Sequence, residues 1–298
     1  MTFKSAFYSL NKSSIDSRDE PTPPTVIIEP TKGWTNLQLK AIWEYRDLLY
    51  FLIWRNVKVR YKQTALGVLW IILQPLISML IFTILFGVIL KVPSDGVPYP
   101  IFAYTALLPW QYFASALNRS SNNLVNNANL ITKVYFPRII IPINGVVAGL
   151  VDFGLAFLIL VGLMIFYSIT PTATVLWLPA LLLLALITAL GFGLWLSALN
   201  VRFRDIKHLV PFIIQIWMYI TPVIYGSSLV PERFRWLLAL NPMTSVVEGF
   251  RWALLGDHLT SANPIDGLFF TSIAIALFVL ISGVIFFRST ERTFADII

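Results

Sequence analysis

The chain has 298 residues, of which 57% are hydrophobic and 12% charged, with a net charge of +7 and no cysteine; its mean hydropathy is +0.75. Soluble domains carry roughly 25% charged residues, and a soluble fold of this length has no interior large enough for so much apolar surface. An ordinary soluble domain is excluded, disulfides and thiolate metal sites are excluded with it, and the fold class that remains is an all-α polytopic membrane protein.

Residues 1–34 are polar and Pro-punctuated. They lack the apolar core of a signal peptide and read as a flexible cytoplasmic tail. Residues 35–63 mix Trp43, Leu48, Leu49, Phe51, Leu52 and Trp54 with Lys40, Glu44, Arg46, Asp47, Arg55 and Lys58. The apolar run "LLYFLIW" is too short to span a bilayer. This pattern predicts an amphipathic helix lying in the membrane interface, with aromatics at the lipid boundary and cations at the headgroups.

Residues 64–298 form the transmembrane domain, with spans expected at about 66–90, 100–124, 139–168, 174–199, 208–226 and 265–287. Each approaches or exceeds the roughly 20 residues that a helical crossing needs. Between the last two, region 229–256 holds two shorter apolar pieces, about 233–240 and 243–255, divided at Asn241–Pro242. Neither crosses alone, so they read as short re-entrant helices, tolerable only where protein or a water-filled cavity shelters their backbone. Six crossings put both termini on one side. That side carries Arg55, Lys58, Arg60, Lys62, Lys133, Arg138, Arg202, Arg204, Lys207, Arg288 and Arg292, which makes it cytoplasmic by the positive-inside rule.

No phosphate-binding glycine loop or metalloprotease motif is present, and His208 and His258 form no metal motif. Asp152 is the one carboxylate well inside a span. Intramembrane acids are functional candidates by default, and the plainer reading is a structural acid bonded to a neighbouring Asn, Ser or to Arg119. Pro75 and Pro222 remove backbone donors and are expected to kink two spans. Trp110, Tyr112 and Phe113 cluster in the second span, and Trp217, Tyr219 and Tyr225 lie along the fifth. They suit either an interfacial belt or an aromatic-lined channel on which sugar rings stack. The loop at about 120–138 is Asn-rich and basic, fit for a simple connector or for a docking helix.

The segments "VRYKQTALGVLWIILQPL", "NRSSNNLVNNANLITKVYFPRIIIPI", "FRDIKHLVPFIIQIWMYITPVIY" and "LNPMTSVVEGFRWALLG" together resemble the ABC-2 type permeases of polysaccharide exporters, which serve O-antigen, capsule-type glycans and teichoic acids. The resemblance runs in order from about Thr35 to the C-terminus. It implies a homodimer paired with two copies of a separate ATP-binding subunit, in the bacterial inner membrane. ATP and Mg would be bound by that subunit, leaving this chain without cofactor, metal or catalytic residue of its own. The other expected partners are a lipid-linked glycan and membrane lipids, with no nucleic acid.

Under the same resemblance, about 36–62 is the interface helix and about 122–134 the coupling helix. Asn122, Asn123, Asn126, Asn127, Asn129 and Lys133 are then the residues facing the ATPase. Spans one and five lie near a channel at the dimer interface. Arg55, Lys58, Arg60 and Lys62 sit where an anionic pyrophosphate-lipid headgroup would meet the membrane surface, or serve anchoring and docking alone. A runner-up is an ABC-2 exporter of small drugs or lipids. An ion-coupled carrier would need paired midplane charges or inverted repeats, and neither is found in the sequence.

Overall fold

A computed structural model of the chain describes residues 43–62, 67–259, 267–291 and 293–294. The expected tail and the first part of the expected interface helix lie outside the described residues. Within them the helices are α1 (Arg46–Lys62), α2 (Gly67–Phe82) continued by a π-helical segment (Thr83–Ile89), α3 (Tyr99–Asn126), α4 (Ala128–Lys133) and α5 (Ile140–Val147). They are followed by α6 (Gly149–Phe166), α7 (Leu178–Arg202), α8 (Ile206–Ile220), α9 (Glu232–Ala239), α10 (Pro242–Leu255) and α11 (Gly267–Glu291). No strand occurs among the described residues.

Among the described residues four stretches are long and apolar enough to cross a membrane: Leu69–Ile89, Ile140–Phe166, Ala173–Arg202 and Phe269–Glu291. The other two expected crossings fall short for opposite reasons. Helix α8 is apolar but has 15 residues, a rise of about 22 Å against a hydrocarbon layer of ~30 Å. Helix α3 has 28 residues, but Asn118, Arg119, Ser120, Ser121, Asn122 and Asn123 crowd its second half.

That polarity is tolerated because α3 is the central helix, packed against α2, α5, α6, α7, α8 and α10. Every residue from Ile101 to Leu108 is at most 2% exposed. A hydropathy window assumes that a helix faces lipid, whereas α3 faces protein. Several of its polar groups find partners there, although Ser120 Oγ is buried without one among the described residues. Asn200 of α7 donates to the Ser121 carbonyl at 3.0 Å and to Asn122 Oδ1 at 3.1 Å, and the Tyr104 hydroxyl donates to the Ala156 carbonyl at 3.0 Å.

Helices α7 and α11 meet through glycines. A Cβ on Gly283 would lie 2.5 Å from the Gly191 carbonyl oxygen, and one on Gly191 would lie 2.8 Å from the Leu280 nitrogen. Small residues let membrane helices approach to backbone contact. Beside that crossing Trp195 stacks on Phe286 at 4.1 Å.

Helix α8 ends at Ile220, and Pro222 lies beyond it. Pro222 therefore belongs to a chain reversal and does not kink a span, while Pro75 sits inside α2. The carbonyls of this reversal are taken up by Arg251 of α10, which is 1% exposed. Its guanidinium donates to the oxygens of Pro222 and Val223, each at 2.7 Å, and of Tyr225 at 3.1 Å. It also pairs with Glu248 at 2.9 Å and lies 3.8 Å from the Phe102 ring centre. Tyr99 donates to the Ile224 carbonyl at 2.8 Å.

Arg251→Met would strand Glu248 and three carbonyls in a buried site. A loss of about 3–5 kcal/mol is expected, the usual effect of breaking a buried pair from one side. Thermal unfolding of the purified protein in detergent measures it, and a melting temperature equal to the wild type's would contradict this account.

Candidate functional site

The basic end of the bundle is organised around α1. Its Leu52 is 2% exposed, and with Tyr45, Leu48 and Leu49 it packs on a small second core. That core includes Leu124, Ile131, Phe136, Ile140, Phe287 and Phe294, so it gathers α1, α4 and the end of α11. On its other sides α1 leaves Tyr50, Phe51 and Trp54 exposed, as is Trp43 just before it. The helix is thus apolar on both its protein side and its outer side, which a simple two-faced reading of the sequence does not anticipate.

The four cations of this region do not act alike. At spacings i, i+3 and i+7, Arg55, Lys58 and Lys62 share a helix face, and Arg60 falls on another. Lys58 and Lys62 are exposed, with the Lys58 ammonium 4.2 Å from the Trp54 ring centre. Arg55 donates to Asn127 Oδ1 at 2.7 Å. Arg60 turns inward to Asp152.

Around Asp152 three helices meet. Its Oδ2 accepts from Arg60 of α1 and, at 2.8 Å, from Arg119 of α3. Its Oδ1 accepts from the Tyr61 hydroxyl at 2.9 Å. Burial, and then the Asp152 carboxylate, push the Tyr61 phenol up to about 12, so it keeps its proton and remains a donor at neutral pH. Arg119 is fixed further by the Ser115 carbonyl at 3.2 Å and the Ser115 hydroxyl at 2.8 Å. Its guanidinium fits because residue 149 is glycine: a Cβ there would lie 2.8 Å from Arg119 Nη2. One carboxylate between two guanidiniums leaves the cluster with an excess positive charge. A cleft of about 120 Å³ lies beside it, lined among others by Gln74, Pro75, Gln111, Ser115, Asp152 and Phe153.

The Asn-rich loop also divides. Helix α3 runs on through Asn126, so Asn122 and Asn123 belong to its last turns, and α4 starts only at Ala128. Asn122 and Asn127 donate back to the carbonyls of Asn118 and Asn123, each at 2.8 Å, while Asn123 reaches toward the Ile141 carbonyl at 3.5 Å. Asn126, Asn129 and Lys133 are exposed, as are Thr132 and Tyr135.

The aromatic set splits in the same way. Trp110, Tyr112 and Phe113 are at most 3% exposed and belong to the interior of the helix bundle. Phe113 meets Trp217 edge-on at 5.0 Å. Trp217 also packs on Phe192 at 4.8 Å and donates to Asn241 Oδ1 at 2.9 Å. The Tyr225 hydroxyl donates to the Ile220 carbonyl at 3.1 Å. Tyr219 alone of the six is on the surface, 53% exposed. It belongs to a stripe on α8 with Leu209, Phe212, Ile216 and Ile220, each at least 45% exposed. A second exposed apolar stripe runs along α2 through Trp70, Ile77 and Ile81 and into the π segment at Ile84 and Val88.

The profile of the family described as "ABC-2 type transporter" matches residues 47–255. The chain belongs to that family. It is 31% identical to the O-antigen export system permease protein RfbA of Klebsiella pneumoniae, over 85% of this chain and 95% of the relative. It is 31% identical to the protein of the same name in Myxococcus xanthus, over 87% and 98%. It is 25% identical to the polysialic acid transport protein KpsM of Escherichia coli, over 81% and 92%.

Sequence reasoning singled out Asp152 and offered Arg119 as one partner among Asn, Ser and Arg119, but missed Arg60 and Tyr61. The available signal was the helical phase of Arg60, which separates it from the other three cations. It also missed the Arg251–Glu248 pair, whose i, i+3 spacing on an otherwise apolar helix was visible.

Trp110→Ala is expected to cost about 3–5 kcal/mol as a core truncation. Tyr219→Ala is expected to stay within about 0.5 kcal/mol, the ordinary range of a surface change. Paired melting curves of the two variants separate core from surface, and equal losses would contradict the assignment.

Proposed function

We propose that this chain is the permease subunit of an ATP-driven exporter that moves a lipid-linked, O-antigen-like polysaccharide out of the cytoplasm across the bacterial inner membrane. The observation that carries this reading is the nearly end-to-end likeness to the two O-antigen export permeases. Two copies of the chain would form the channel, and two copies of a separate subunit would bind ATP and Mg and drive it.

In this reading α3 and α8 join the four apolar stretches to make six crossings, both termini face the cytoplasm, and α9 and α10 dip into the outer side of the membrane. Residues 1–34 would be the tail, 35–63 the interface helix, and 64–298 the transmembrane domain. The exposed stripes on α2 and α8 suit the walls of a passage between protomers. They present apolar and aromatic surface where a sugar chain needs weak, repeated contacts and no tight site. Tyr219 and Phe212 are the exposed aromatic side chains of α8 suited to that role. Asn126, Asn129 and Lys133 are the exposed candidates for contact with the ATP-binding subunit. The Asn127 side chain is occupied within the chain.

For an anionic headgroup, Lys58 and Lys62 are the better candidates, because Arg55 and Arg60 are engaged by Asn127 and Asp152. Lys58→Gln with Lys62→Gln is expected to lower export about tenfold, the effect of losing roughly 1.5 kcal/mol of charged hydrogen bonding. Membrane insertion and pairing with the ATPase should be unchanged, as seen by fractionation and co-purification, and loss of insertion instead would reduce these lysines to anchors.

The direct test is deletion of the gene with fractionation and sugar staining of the lipid-linked glycan. Accumulation on the cytoplasmic side with loss from the surface is expected. An unchanged surface glycan in a strain without a second such permease would refute the reading.

A further inference from the structure

We propose that Asp152 is a positioning residue that fastens the interface helix to the bundle, so that α1 and the α3–α4 junction move as one body. The export half of this proposal rests on the permease reading above. Helix α1 is held at two places along its length. Near its middle Arg55 bonds to Asn127, the residue between α3 and α4. About one and a half turns later Arg60 and Tyr61 bond to Asp152 of α6. Asp152 in turn holds Arg119 of α3 at 2.8 Å. One carboxylate therefore joins α1, α3 and α6, and a second bond ties α1 to the base of α4. A push on α4 reaches Asn127 and, through the rigid rod of α1, arrives at Asp152 beside the cleft between α2, α3 and α6.

Without the carboxylate, two guanidiniums face each other in a partly buried site, where like charges repel strongly. Arg119 stands on the central helix with two further bonds to Ser115, while α1 lies at the edge with Tyr50 and Phe51 exposed. The helix that gives way is α1.

The chain has no cysteine, so a single one reports cleanly. Leu49→Cys places a thiol on the side of α1 that packs on the second core. In the assembled complex, Asp152→Asn is expected to raise its labelling by a water-soluble maleimide about tenfold, as for an element released by local opening. Asp152→Asn with Arg119→Gln, which removes the repulsion, should label more slowly than Asp152→Asn alone, a non-additive result expected of groups in contact. Export per ATP hydrolysed should fall in Asp152→Asn while hydrolysis itself continues.

Should Asp152→Asn fail to fold, Arg60→Gln breaks the same fastening from the α1 side and leaves the Asp152–Arg119 pair in place. It is expected to show the same faster labelling. Unchanged labelling in both single variants, strictly additive effects in the double variant, or faster labelling with normal export per ATP would each overturn the proposal. Labelling is read without substrate, so a wild-type chain that exports no glycan would remove the functional reading and leave the fastening test standing.

Discussion

A hydrocarbon layer supplies no water to a polar atom, so every donor or acceptor placed at membrane depth has to be answered by protein. Much of this fold follows from meeting that condition around α3. Its second half is too polar to face lipid, and it is enclosed by six other helices. Asn200 comes to it from α7 and Asp152 from α6, and Asp152 is held in turn by Arg60 of α1. Where a helix cannot continue, the same condition applies. The reversal after α8 exposes carbonyls that no helical turn can satisfy, and the fully buried Arg251 spends its donors on them.

The two ends of the bundle are built by different means. At the basic end, small amides and an ion-pair cluster tie α1, α3, α4 and α6 together, and a compact apolar core holds the end of α11 beside them. Arg138 reaches Glu291 there through its backbone nitrogen at 3.1 Å. At the opposite end one arginine and its glutamate do most of the joining. Ser228 reaches across to Asp95 at 3.0 Å to close the loop that precedes α3. Polar bonds with few alternatives make such junctions rigid as units, and α1, with Tyr50, Phe51 and Trp54 exposed, packs on its neighbours along one side only.

Much of this was legible in the sequence, because apolar run length and charge asymmetry are direct consequences of the bilayer. Four stretches needed nothing more than length and hydropathy. Helix α3 resisted that rule because burial by other helices replaces burial in lipid, and a one-dimensional window cannot tell which solvent a helix meets. Trp110, Tyr112 and Phe113 show the same blind spot. A run of aromatics reads alike whether it lines a passage or fills a core, and their contacts with Phe153 and Trp217 decide for the core. Asp152 was conspicuous as a lone acid, and Arg119 was within reach as its partner. Arg60, 92 residues away in the chain, was masked by sitting among three other cations with a ready explanation.

The shortness of α8 has a consequence for the energy of crossing. Fifteen residues rise about 22 Å, and the layer they would traverse is ~30 Å thick. If α8 runs from the basic end, its reversal lies beneath the opposite surface, and the bilayer either thins against it or leaves a protein-walled dent above it. The free energy of carrying a charged or hydroxyl-rich group through hydrocarbon rises with the thickness to be crossed. A polar cargo travelling beside α8 would meet a barrier trimmed at its far side, and it would emerge into water before it had passed the full depth of the membrane.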